Sequence, residues 1–257
     1  MSRIASVFKN PKHKVLIPYI TVGYPSLEAT LKAAPLLASN GADIIELGIP
    51  FSDPLADGAT IQESSYQALQ NGITPEVCLQ TAKKINQNTR VPLVFMTYYN
   101  PVLSYGLNKF CQACLDSGID GLVIPDLLPE EGVPLECAAQ EHGIDLIYLL
   151  SPTSSRERIM LVGEKSRGFI YLVSIAGVTG ARNSLPENLR SFIARVRTLT
   201  KQPLCVGFGV SNPEQAKYVS SLADGVIVGS KLVQLMKTDP TMDSLKSFIQ
   251  NLRDAID

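Results

Sequence analysis

Leu204-Cys205-Val206-Gly207 is a short apolar run. A glycine-bearing turn follows, then an Asn212-Pro213 helix start. The chain then returns to a second run, Gly225-Val226-Ile227-Val228, which ends in Gly229-Ser230. Asn212 is a good N-cap, and Pro213 suits a first helical turn because its missing N–H is not needed there. One stretch therefore holds strand, turn, helix, strand and the start of another helix. The same rhythm runs back through the sequence. It predicts strands at Val15–Thr21, Asp43–Gly48, Pro92–Thr97, Gly121–Pro125, Asp145–Leu150 and Phe169–Ser174, besides Leu204–Gly207 and Gly225–Val228. Helices are expected at Leu27–Asn40, Glu76–Asn88, Leu107–Ser117, Glu130–His142, Arg156–Lys165, Leu189–Leu199, Pro213–Ser220 and Met242–Ala255. Ser26 and Pro75 mark helix starts, and Gly41, Gly118 and Gly143 mark helix ends. Runs such as Leu122-Val123-Ile124 suit strands buried on both faces, as in a parallel sheet.

Eight strand–helix units in 257 residues favour one closed (β/α)₈ barrel, a TIM barrel, over an open sheet. The whole chain, 1–257, reads as a single domain. An extra N-terminal helix, Arg3–Phe8, is expected to plug the barrel bottom. With 45% hydrophobic and 18% charged residues, the composition is that of an ordinary globular protein. The net charge of −1 gives no global field for nucleic acid or an anionic membrane, so an anion site would have to come from backbone N–H groups. No signal-peptide core or run of roughly 18 apolar residues is present. The expected compartment is the cytoplasm, or the plastid stroma if the source is eukaryotic. Five scattered cysteines agree with a reducing space. Cys111 and Cys114 form a CxxC without a second pair or a nearby His, which reads as helix-face packing, and no metal site is expected.

In such a barrel the chemistry sits at the C-terminal ends of the strands. Glu46, in Ile44-Ile45-Glu46-Leu47-Gly48, is a carboxylate inside an apolar strand, where it is costly unless paired or functional. An ion pair inside the barrel is the structural alternative. Asp53 and Asp57 follow in the next loop, where a solvated turn would explain them equally well. Together the acids could supply a general acid and an orienting base. His13 and His142 are not placed for base or metal chemistry. No lysine ends a strand, so a Schiff-base aldolase is not expected. The turns after strands six, seven and eight carry Gly177 and Gly180, Gly207 and Gly209, and Gly229-Ser230. Gly229-Ser230 also opens a short helix, Lys231–Met236, whose free N–H groups would favour phosphate. Tight-turn geometry is the alternative for any single glycine. On the residues alone, an isomerase, an epimerase or a lyase acting on a phosphorylated small molecule would fit.

The stretch from Glu46 through Pro50-Phe51-Ser52-Asp53-Pro54-Leu55-Ala56-Asp57-Gly58 resembles the signature of the tryptophan synthase alpha subunit family. Ile17-Pro18-Tyr19-Ile20-Thr21, Tyr98-Tyr99-Asn100-Pro101, Ile124-Pro125-Asp126-Leu127, Gly177-Val178-Thr179-Gly180-Ala181-Arg182 and Gly207-Phe208-Gly209 follow the same family in order. Ala59 and Tyr24 stand where many members have Pro and Asp. The resemblance implies retro-aldol cleavage of indole-3-glycerol phosphate to indole and glyceraldehyde 3-phosphate in tryptophan biosynthesis. It implies that Glu46 protonates indole C3, that Asp57 stabilises the charge at the indole N–H, and that Tyr171 positions Glu46 and the indole. Tyr19, Met96, Val123, Leu149, Phe208 and Thr179 would line the indole pocket. Gly180, Gly209, Gly229 and Ser230 would cradle the phosphate. No cofactor belongs to the chain. The implied partner is a pyridoxal phosphate-dependent beta subunit, in an alpha2beta2 tetramer. It would dock on Asp53, Pro54, Asn100, Pro101 and Pro129. A stand-alone indole-3-glycerol phosphate lyase and a non-catalytic activator barrel are the other readings of the same fold. Glu46 is expected to have a raised pKa. Ile175–Pro186 is expected to close over the site as a lid that brings Thr179 toward Asp57.

Overall fold

The computed structural model describes residues 1–173, 188–207 and 209–257. In chain order the elements are α1 (Arg3–Val7), β1 (Val15–Thr21), α2 (Leu27–Ser39), β2 (Ile45–Gly48), α3 (Ala59–Gln70) and α4 (Pro75–Asn88). Then come β3 (Leu93–Met96), α5 (Tyr99–Tyr105), α6 (Leu107–Ser117), β4 (Gly121–Val123), α7 (Val133–Glu141), β5 (Asp145–Ile147), β6 (Leu149–Leu150) and α8 (Arg156–Lys165). The last are β7 (Ile170–Val173), α9 (Leu189–Arg197), β8 (Leu204–Gly207), α10 (Pro213–Leu222), β9 (Gly225–Val228), α11 (Ser230–Thr238) and α12 (Asp243–Ile256).

The strands are all parallel and run in the order β5-β4-β3-β2-β1-β9-β8-β7-β6. The two edge strands, β5 and β6, are halves of the single strand expected over Asp145–Leu150. They part at Tyr148, whose N–H donates to Ser166 Oγ at 3.1 Å, while its carbonyl accepts from Tyr171 N at 3.0 Å. The chain thus carries the sheet from one edge to the other, and the result is a (β/α)₈ TIM barrel with an added N-terminal helix.

Strand alternation sorts the side chains into two cores. Ile45 and Leu47 of β2 join the large core between sheet and helices. Ile44, Val94, Val123, Ile147, Phe169, Cys205 and Ile227 point into the barrel. Cys111 and Cys114 are buried in the outer core, with burial pushing both thiols up, so they pack as helix-face residues.

The barrel floor is closed by α1. Ile4 is fully buried in the inner core, and Phe8 lies 6.0 Å from Phe169. Gly121 and Gly168 make room for it, because a Cβ there would stand 2.7 and 2.8 Å from Ile4 carbons. A ring of aspartates preceding strands completes this end. Asp43 accepts from Leu16 N at 2.8 Å, Asp120 from Leu93 N at 3.0 Å and Asp224 from Leu204 N at 2.8 Å. Arg253, Arg3 and Arg197 respectively pair with them.

Three local expectations need correction. Helix α3 was not expected, because its buried face is Ile61, Ser64, Ser65 and Ala68, too small and polar to give an apolar period. Helix α5 is likewise absent from the expected elements. Its first N–H, at Tyr99, is capped at 2.9 Å by Asp126 from the loop after β4, a cap that no local sequence signal reveals. The helix expected from Glu130 begins at Val133, because Arg158 holds the Glu130 carboxylate and Lys165 holds the Pro129 carbonyl, both at 2.6 Å. The segment Ile175–Pro186 and Ser174 lie outside the described residues.

Candidate active site

Glu46 follows Ile44 on the inward face of β2, in register with Tyr19 of β1 and Val94 of β3. It is 2% exposed, and neither carboxylate oxygen has a hydrogen-bond partner among the described residues. Among the described residues, the ion-pair alternative is not realised. Burial, and then the nearby Asp57, push its pKa up to about 8. At neutral pH the group holds its proton, because a lone charge in this environment is costly.

Asp57 is also buried, at 7% exposure, so the solvated-turn reading does not hold. Its loop is folded by hydrogen bonds from Leu55 N to Asp53 O at 2.8 Å and from Asp57 N to Pro54 O at 3.0 Å. Gln62 Nε2 donates to Asp57 O at 2.9 Å. The phenol of Tyr98 donates to Asp57 Oδ2 at 3.0 Å and accepts from Ala56 N at 2.9 Å, and its ring stacks on Phe51 at 5.2 Å. Burial raises the Asp57 pKa to about 6, with the Tyr98 bond pulling the other way. Two acids in one site are thereby tuned apart, one protonated and one largely ionised at neutral pH.

Tyr19 and Tyr171 bend over the inner ends of their neighbouring strands. A Cβ at Gly48 would stand 2.1 Å from the Tyr19 hydroxyl, and one at Gly207 would stand 2.3 Å from that of Tyr171. Glycine at these strand ends is what admits the two rings. The Tyr19 hydroxyl meets Thr21 Oγ1 at 3.2 Å, which meets Ser64 Oγ at 2.7 Å. Burial, followed by Glu46 and Asp57, holds the Tyr171 phenol well above its ordinary range.

A cleft lies at this end of the barrel, with about 800 Å³ of empty space when open solvent is counted. Tyr19, Met96, Leu149, Tyr171 and Asp57 line it, and so do Gly209, Gly229 and Ser230. The sequence reading missed Ile61, Pro125, Ser211 and Lys231 in the same wall. Lys231 is the one cation among the described lining residues, whereas backbone N–H groups alone were expected for an anion. Val123 is not in the wall. It is fully buried in the inner core, and Pro125, two residues on, lines the cleft instead. Glu46 likewise is buried and outside the wall. Gly180, Thr179 and Phe208 lie outside the described residues.

The residues expected to meet a partner divide. Asp53 and Asn100 are exposed, while Pro54 and Pro101 are half-buried. Pro101 sits in the first turn of α5, where its missing N–H costs nothing. Pro129 is buried, held by the Lys165 bond. Leu55, Leu103 and Leu128, close to these residues in the chain, are 88%, 54% and 50% exposed. That is a signal the sequence alone did not give.

A closed parallel barrel with two buried, differently tuned acids at its C-terminal end is the construction of a (β/α)₈-barrel enzyme. The family profile for the tryptophan synthase alpha chain matches residues 6–256. An alpha chain of Dehalococcoides mccartyi is 58% identical over 257 residues, covering 100% of both chains. One of Geobacter sulfurreducens is 45% identical over 262 residues, covering 100% of this chain and 99% of that one. A chain of the Mycobacterium tuberculosis tryptophan synthase structure superposes with TM-score 0.93 at 37% identity, covering 99% of this chain and 98% of that one. The chain belongs to the tryptophan synthase alpha chain family. It is a lyase of tryptophan biosynthesis, cleaving indole-3-glycerol phosphate to indole and glyceraldehyde 3-phosphate.

Proposed function

We propose that this cleavage runs on Glu46 and Asp57, with Tyr171 orienting the reacting groups. The observation that carries the reading is the Glu46 carboxyl, buried without a hydrogen-bond partner among the described residues and held protonated beside Asp57. Its proton goes to indole C3, which leaves a positive charge on the ring nitrogen. The ionised Asp57 accepts the N–H and stabilises that charge. Glu46, now a carboxylate, takes the proton of the C3′ hydroxyl. The C3–C3′ bond breaks, its electron pair neutralises the ring, and the former hydroxyl carbon becomes the aldehyde. Glu46 ends protonated, as it began.

Tyr19, Met96 and Leu149 supply the apolar wall for the indole; the family resemblance assigns Thr179 and Phe208, outside the described residues, to the same role. The family resemblance adds Gly180, which lies outside the described residues, to the phosphate end that Gly209, Gly229 and Ser230 form. The Lys231 ammonium adds a charge there that suits a dianion. The whole chain, 1–257, acts as one domain with no cofactor of its own. The chain pairs with a beta subunit in an alpha2beta2 assembly, and its docking face is Asp53, Pro54, Asn100 and Pro101 with the exposed Leu55, Leu103 and Leu128 around them. Indole, neutral and apolar, would otherwise be lost across membranes. No helix among the described residues is long and apolar enough to cross a membrane, and the cytoplasm is the compartment we infer.

The test is the cleavage rate of Glu46→Gln in the presence of the beta subunit. We expect a loss of about 10³-fold, with binding of glycerol 3-phosphate retained. A rate near that of the unaltered protein would remove Glu46 from the mechanism.

A further inference from the structure

We propose that Tyr98 is a positioning residue for the cleavage, holding the Asp57 carboxylate in its working place and charge state. This rests on the assignment of Asp57 above. The Tyr98 phenol sits between two groups of the catalytic loop. It accepts from Ala56 N at 2.9 Å and donates to Asp57 Oδ2 at 3.0 Å. The backbone bond fixes the direction of the phenolic proton. With one oxygen lone pair taken by an N–H, the O–H is left to the carboxylate, and a donated O–H favours the ionised form. The ring cannot swing away, since it is 5% exposed and stacked on Phe51 of the same loop.

The anchor itself is rigid. Thr97 N donates to Val123 O at 3.1 Å, and Tyr99 N donates to Asp126 Oδ1 at 2.9 Å. Tyr98 is thus pinned on both sides by the strand β4 and its following loop, and it transfers that rigidity to a loop whose own acid must face the substrate. The other ionisable groups around Asp57 are Glu46 from β2, Tyr19 from β1 and Tyr171 from β7, and Lys231 of α11 lines the same cleft. Among the described residues, only Tyr98 gives the Asp57 carboxylate a side-chain hydrogen bond.

The test is the pH profile of cleavage in the alpha–beta complex, for the unaltered protein, Tyr98→Phe, and a protein with 3-fluorotyrosine at position 98. Phenylalanine keeps the ring and its stacking but loses the hydroxyl. Its acid limb should move up by about one pH unit, and kcat at neutral pH should fall about tenfold, with KM little changed. Fluorotyrosine is the stronger donor, so its limb should move down. Opposite shifts are something a merely structural role would not produce. Superimposable limbs for all three proteins, or a Phe variant altered in KM alone, would overturn the inference. An acid limb that survives Asp57→Asn would instead remove Asp57 from the mechanism, and the role of Tyr98 with it.

Discussion

The two ends of this barrel treat their acids in opposite ways: the floor acids are half-buried and fully partnered, and the mouth acids are buried and sparsely partnered. At the floor, Asp43, Asp120 and Asp224 each accept a strand N–H and each pair with an arginine. At the mouth, among the described residues, Glu46 has two oxygens with no hydrogen-bond partner, and the Asp57 carboxylate has one phenol. A satisfied acid ties strand ends together and serves the fold. An unsatisfied one is a standing cost that a catalytic role explains. The glycines divide the same way. Gly121 and Gly168 at the floor admit Ile4 and seal the barrel, whereas Gly48 and Gly207 at the mouth admit Tyr19 and Tyr171 beside the cleft.

The comparison can be broken at either end. The largest effect we expect is the Glu46→Gln loss of cleavage described above. At the floor, Ile4→Ala should cost about 2–5 kcal/mol of stability by opening a cavity, while kcat measured well below the melting point stays within a factor of two or so. A chemical-denaturation midpoint left unchanged, or a collapsed kcat in folded protein, would blur the two ends. Asp57→Asn at the mouth should reduce cleavage about 10²-fold, because an amide cannot balance the ring charge, and should leave the melting temperature almost unmoved.

The last effect is thermodynamic and has a definite sign. The folded-state pKa of Glu46 is raised from 4.5 to about 8. The folded protein therefore keeps a proton that the unfolded chain releases. Stability from this group is full below pH 4.5 and is lost as pH rises toward 8. Glutamine has no such loss. Over that window the Gln variant should gain on the unaltered protein by up to about 1.4 kcal/mol per pH unit. Urea titrations at several pH values would show it. Parallel stability curves would mean that the burial of Glu46 is relieved in solution.

Much of this was legible from the sequence. A glutamate in an apolar strand is conspicuous, and Glu46 was found on that ground alone. The barrel followed from strand and cap signals such as Asn212-Pro213 and from the glycine stops, and Gly229-Ser230 opens a helix as read. What escaped depends on contacts between distant segments. Tyr98 lies 41 residues from the Asp57 it holds, and α5 takes its cap from Asp126. Pro129 is buried, and Lys165 of α8 reaches its carbonyl. Val123 is buried in the inner core while Pro125 lines the cleft, because an apolar strand run does not show where along its length the cleft begins. The strand break at Tyr148 follows from a Ser166 hydroxyl that no local pattern indicates.

The central claim is that Glu46 is a protonated acid at neutral pH. Isotope-edited infrared titration, with the glutamates labelled in their carboxyl carbons, reads that proton directly. A carboxylic acid C=O band should be present at neutral pH, vanish in Glu46→Gln, and titrate away near pH 8. A spectrum in which Glu46 is already a carboxylate at neutral pH would contradict the account.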